Sequence, residues 1–204
     1  WPVLGRGELA RRGGISRTTA YTSVALSLGM LYLAAMFVAA AFLPFALAGG
    51  VGFSPWMLTL LALPIGVVAL HHEVLAWLQR VASKATKRDI AVTVPHWHVS
   101  LGLVARYVPT WLFIGFATYA VARSLTTEVG LARTMFATIL SWVVGFLAVP
   151  VPWGAGIRET VLYASSGLSK PVAITTAVGA RLIFVAVDLL GAALCAPMVR
   201  RGVG

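Results

Sequence analysis

Residues 18–45 run for 28 positions without one charged side chain. At 1.5 Å per residue a helix of that length is about 42 Å long, enough to cross a hydrocarbon core of about 30 Å with tilt. A soluble fold has nowhere to hide such a segment. The rest of the chain agrees: 59% of its residues are hydrophobic and 11% charged, where a soluble domain carries about 25% charged. The 204 residues read as one all-α polytopic membrane domain, with about five spans plus a broken or re-entrant segment.

The net charge is +10. In a soluble protein that would suggest nucleic acid, but here the basic residues gather at the ends of apolar runs, without a basic groove interleaved with aromatics. The positive-inside rule and anionic lipid head groups account for them instead. Residues 80–98 carry Arg80, Lys84, Lys87 and Arg88 against Asp89, which assigns that connection to the cytoplasm. A lone cysteine, Cys195, excludes an intrachain disulfide. The start at Trp1 is read as a piece of a longer polypeptide.

The expected spans follow from the apolar runs. Ser16 is a plausible N-cap for residues 18–45. Pro55 opens a second helix expected to continue to about Arg80, kinked at Pro64, with Trp77 at an interface. A third span covers about 99–125, with Arg106 near its start and Pro109 within it, and a short fourth covers 134–149. A short helical piece at 160–166, a stop-and-restart at Gly167-Leu168-Ser169-Lys170-Pro171 and a last span at about 171–198 complete the chain.

Between the fourth and last spans stands Pro150-Val151-Pro152-Trp153-Gly154-Ala155-Gly156-Ile157-Arg158-Glu159. Broken backbone and charge at membrane depth are tolerated only where protein buries them or a cavity hydrates them. A functional site is therefore expected here. The stretch has a counterpart near the start. Gly5-x-Gly7-Glu8 leads to Gly14-Ile15-Ser16-Arg17 and an apolar helix; Gly154-x-Gly156 with Arg158-Glu159 leads to Gly167-Leu168-Ser169-Lys170 and another. Repeat units at about 5–48 and 154–198 are expected. They are inverted if residues 150–166 cross the membrane, and parallel if these residues dip and return.

Several charges in these units are candidate substrate contacts. Gly154 and Gly156 would let backbone N–H groups approach an anionic head group while Arg158 holds its phosphate; Glu159 has the rival role of capping a helix N-terminus. Arg181 and Asp188 share a face of the last span but stand about 10 Å apart along it, so each needs another partner. Arg181 with Glu159 is the pairing to test first. In the first unit Arg6, Glu8 and Arg11 would take the equivalent roles. His71-His72-Glu73 and His96-x-His98 lack the spacing of a zinc site, and no phosphate-binding loop or serine-hydrolase elbow appears, so neither metal nor cofactor is expected.

Pro152-x-Gly154-x-Gly156-Ile157-Arg158-Glu159, a short helix and an apolar helix holding Arg181 resemble the signature of the lysylphosphatidylglycerol synthase transmembrane family, to which the flippase part of the multiple peptide resistance factor belongs. Gly5-x-Gly7-Glu8-x-x-Arg11 with Arg12-Gly13-Gly14-Ile15-Ser16-Arg17 resembles, more loosely, that family's earlier loop. Trp153 departs from the pattern, standing where the family usually has glycine. The resemblance implies a multi-pass protein of the bacterial inner membrane that moves phospholipids or polyprenyl-linked lipids between leaflets, without catalysis. The alternative is a non-catalytic membrane subunit scaffolding a cell-envelope glycosyltransferase or a lipid-modifying enzyme, with that enzyme or a second copy as partner.

Overall fold

The computed structural model describes residues 17–86, 96–147, 154 and 156–201. Among these residues all regular structure is helical: α1 (Arg17–Ala48), a 3₁₀ helix (Pro55–Leu61), α2 (Ala62–Ala69), α3 (His72–Thr86), α4 (Trp97–Leu125), α5 (Leu131–Leu147), α6 (Ile157–Ser166) and α7 (Lys170–Arg201). Three helical stretches are long and apolar enough to cross a membrane: Thr22–Ala48, Trp97–Leu125 and Lys170–Leu194. The chain is a membrane protein. Two shorter apolar stretches, Pro55–Ala69 and Leu131–Leu147, accompany them. Ser16, the loop motif at Gly5–Arg12 and Pro150–Trp153 lie outside the described residues.

The second expected helix corrects to three pieces. The first division is a change of winding, the 3₁₀ helix passing without a gap into α2, whose first turn holds Pro64. The second break is a tightened turn. Leu70 N–H reaches back to the Gly66 and Val67 carbonyls, and His71 N–H to Val68, before α3 starts at His72.

The described residues divide into two compact units, those within Trp1–Ala41 and Met57–Leu112 and those within Phe42–Trp56 and Phe113–Gly204. In the first, α1 and α4 are joined by polar contacts. Trp111 Nε1 donates to the Leu31 carbonyl at 2.7 Å, the Tyr32 ring lies 5.9 Å from Trp111, and the Ser27 and Tyr107 hydroxyls bond at 2.7 Å. Hydrogen bonds between apolar helices are worth about 0.6–2 kcal/mol each. Gly66 of α2 packs so closely that a Cβ there would lie 2.8 Å from Leu33.

The second unit is built on α5, whose residues from Thr134 to Ser141 are all buried. The short α6 runs antiparallel to it. At one end, Gly145 of α5 touches Gly154 and the stem of Arg158; at the other, Gly167, just past α6, touches the guanidinium of Arg133. Gly167 adopts φ 70, the left-handed conformation that ends a helix at little cost only for glycine. Leu168 and Ala173 then pack on Ala122 of α4, so α7 starts beside the end of α4. From there α7 runs out almost uncovered: 6% of its span window is buried, against 44% for α1. Leu182, Leu189, Leu190 and Leu194 are all exposed, a surface suited to lipid.

Candidate functional site

The site begins at the start of α6. Gly156 is the N-cap, at φ 82, and its N–H donates to Glu159 Oε2 at 2.7 Å. A carboxylate at the third helical position thus closes one of the orphan N–H groups and meets the positive end of the helix dipole. The other oxygen of the same carboxylate faces α7, where Arg181 Nη1 donates to Glu159 Oε1 at 3.3 Å. Glu159 therefore does both of the jobs its sequence position allows, capping α6 and anchoring Arg181.

Arg158 points another way. Its guanidinium carbon lies 3.4 Å from the centroid of the Trp142 ring, a stacked cation–π contact. Trp142 is held in turn by an edge contact with Phe184 of α7, at 6.1 Å between centroids. The arginine stem lies in a groove made by two glycines: a Cβ at Gly145 would fall 2.5 Å from Arg158 Cγ, and one at Gly154 3.2 Å from its Cδ and 3.0 Å from Gly145 Cα. Consecutive helical residues diverge by about 100°, which is why Arg158 reaches α5 while Glu159 reaches α7.

Between α4, α5, α6 and α7 these side chains border a small, open cleft. Arg158, Glu159 and Arg181 line it with Trp142 and Phe184. Thr118, Thr138 and Ser141, all buried, line it as well. Each donates its proton to its own helix, Thr118 to Ile114 O at 2.9 Å, Thr138 to Thr134 O and Ser141 to Thr138 O, both at 2.7 Å.

The fold thus gathers Gly154, Gly156, Arg158, Glu159 and Arg181. The Gly156 N–H is taken by Glu159, and Gly154 lies close against Gly145. Asp188 stands exposed on α7, two turns beyond Arg181, and does not border the cleft. Arg6, Glu8 and Arg11 lie outside the described residues. Trp142, Thr138 and Ser141 are the contributions that sequence reasoning missed. Their signal is present, since Thr134, Thr138, Ser141 and Trp142 mark one face of α5 at helical spacing in an otherwise apolar run. Of the histidines, His96 and His98 stack at 5.8 Å, and among the described residues no three side chains of metal-ligating type gather.

No family model matches the chain, and neither does any curated protein or solved structure.

Proposed function

We propose that this is a multi-pass, flippase-like protein of the bacterial inner membrane that binds an anionic lipid head group in the cleft and carries phospholipids or lipid-linked sugars between leaflets. The observation that carries the reading is the convergence of Arg158 and Arg181 on one cleft within a lipid-facing helical unit, where Glu159, paired with Arg181, is the one acid among the described residues that line it. Guanidinium binds phosphate bidentately. The role is transport without catalysis: head-group phosphate is captured, and acyl chains follow along the uncovered flank of α7. The resemblance to the lysylphosphatidylglycerol synthase transmembrane family belongs to the same reading.

The topology proposed with it has about five spans and an inverted repeat. Because α6 returns to the end of α5 that holds Arg133, residues 150–166 are taken to cross rather than dip. Lys170 then shares the side of Arg133, and Arg200 and Arg201 stand at the far end of α7, in keeping with the positive-inside rule. A second reading, the scaffold for an envelope glycosyltransferase or lipid-modifying enzyme, draws on one feature. Asp188 is an exposed carboxylate on the apolar α7, where a partner helix or a second copy would shield it from lipid. The test is leaflet exchange of a fluorescent lipid in proteoliposomes. Transport predicts loss of exchange in Arg158→Ala and Arg181→Ala; exchange unchanged by both sinks it.

A further inference from the structure

We infer that α3 lies along the cytoplasmic face of the membrane and docks on anionic lipid, an interaction surface apart from the cleft and independent of it. Its start is fixed at the membrane boundary. The ring of His71, one residue before α3, lies 6.4 Å from that of Trp97, the first residue of the span made by α4. Trp97 is exposed, as tryptophans at the boundary of water and lipid are. On the other side, Leu70 and His71 alone separate α3 from α2, where Ile65 and Val68 present exposed apolar surface. The helix therefore leaves from the level at which the chain enters lipid.

From that level α3 has one course open. Its 15 residues reach about 22 Å, short of a hydrocarbon core of about 30 Å, and they include Glu73, Arg80 and Lys84. Open water suits it no better. Trp77 is 55% and Val81 45% exposed, and at i, i+4 spacing they form one row along the helix. Arg80 and Lys84, both exposed, form the neighbouring row. An apolar row beside a basic one is the pattern of a helix lying in the head-group layer. Trp77 and Val81 reach the acyl boundary, while the stems of Arg80 and Lys84 lie along it and their charges meet lipid phosphates. Glu73 falls in the first turn, where the positive end of the helix dipole offsets its charge. The bilayer is the partner already present where α3 starts. The connection that α3 leads into is assigned to the cytoplasm, whose leaflet carries the anionic lipid.

The test places a nitroxide at position 81 or 83 of the full chain, as Val81→Cys or Ser83→Cys in a Cys195→Ser background that removes the sequence's one cysteine. Two residues apart on a helix, the two labels lie on opposite faces. In vesicles of phosphatidylcholine with or without phosphatidylglycerol, each label is read by its relaxation with oxygen, which concentrates in lipid, and with a nickel chelate, which stays in water. With phosphatidylglycerol present, the label at 81 is expected about 5–10 Å below the phosphates and the label at 83 in water. The ratio of lipid-docked to water-exposed label at 81 is expected to fall roughly tenfold or more when phosphatidylglycerol is left out, and likewise in Arg80→Gln with Lys84→Gln. The comparison of vesicles keeps the charges of α3 intact, so it decides even where the charge variant does not fold. A label at 81 that sits in water in both vesicles overturns the inference. So does a label shielded from both reagents, the mark of a protein partner or a second copy on that face. Equal docking in both vesicles overturns the selection of anionic lipid. None of these outcomes bears on the cleft.

Discussion

Arg158 lies over Trp142, its guanidinium carbon 3.4 Å from the ring centroid. The contact holds the charge beside the cleft. Replacing Trp142 with alanine should therefore act through Arg158. Anionic-lipid retention is expected to fall about three- to tenfold, from the loss of roughly 0.5–2 kcal/mol of cation–π contact. Trp142→Phe should restore most of it. Native mass spectrometry checks both, and an alanine variant that binds at the wild-type level contradicts the role.

The three glycines around α6 should rank in a definite order. At Gly154 a Cβ meets backbone, 3.0 Å from Gly145 Cα and 3.1 Å from its carbonyl, on top of a positive φ. Gly154→Ala should be the most destabilising, by about 2 kcal/mol or more. Gly156→Ala adds a methyl group in open space and suffers only from φ 82, costing about 1–2 kcal/mol. Gly145→Ala drives a Cβ to 2.5 Å from Arg158 Cγ and 2.9 Å from its Cδ, near the root of that side chain, so it should lower both lipid retention and stability. Thermal unfolding in detergent, alongside retention, gives the ranking.

Glu159 holds two interactions that substitution separates. Glu159→Gln keeps an acceptor for the Gly156 N–H and loses the charge opposite Arg181, so stability should fall by no more than about 1 kcal/mol, as expected for a partly exposed pair. Glu159→Ala also uncaps α6 and should cost about 1 kcal/mol more. Both changes leave the cleft more positive, so phosphatidic acid should be retained more strongly. Weaker retention by Glu159→Gln would show that the carboxylate positions Arg181 rather than competing for it.

Asp188→Asn should leave anionic-lipid retention within about twofold of wild type, since the carboxylate lies about 10 Å along α7 from Arg181 and outside the cleft. A larger change would place Asp188 in the binding machinery.

The long helices were legible because their signal is gross: stretches of 25 or more mostly apolar residues at α1, α4 and α7 admit no other structure in lipid. The pairing of Glu159 with Arg181 was legible too, because Arg181 stands in an apolar span and Glu159 is the nearest acid in the broken stretch. The division of residues 55–86 into three helices was hidden. Pro64 reads equally as a kink in one helix or the first turn of another, and only tertiary packing, such as Gly66 on Leu33, decides. The part of Thr138 and Ser141 in lining the cleft was hidden for a different reason. Threonine and serine in an apolar helix usually just bond their own backbone, and which way that face points is a property of the packing of α4, α6 and α7 around α5.

The claim that an anionic head group sits between Arg158 and Arg181 is tested most directly by a high-resolution density map of the full chain in nanodiscs containing phosphatidylglycerol. The account predicts a phosphate peak within hydrogen-bonding distance, about 3 Å, of both guanidiniums. A cleft holding an acyl chain instead, with lipid phosphates confined to the membrane surfaces, would contradict it.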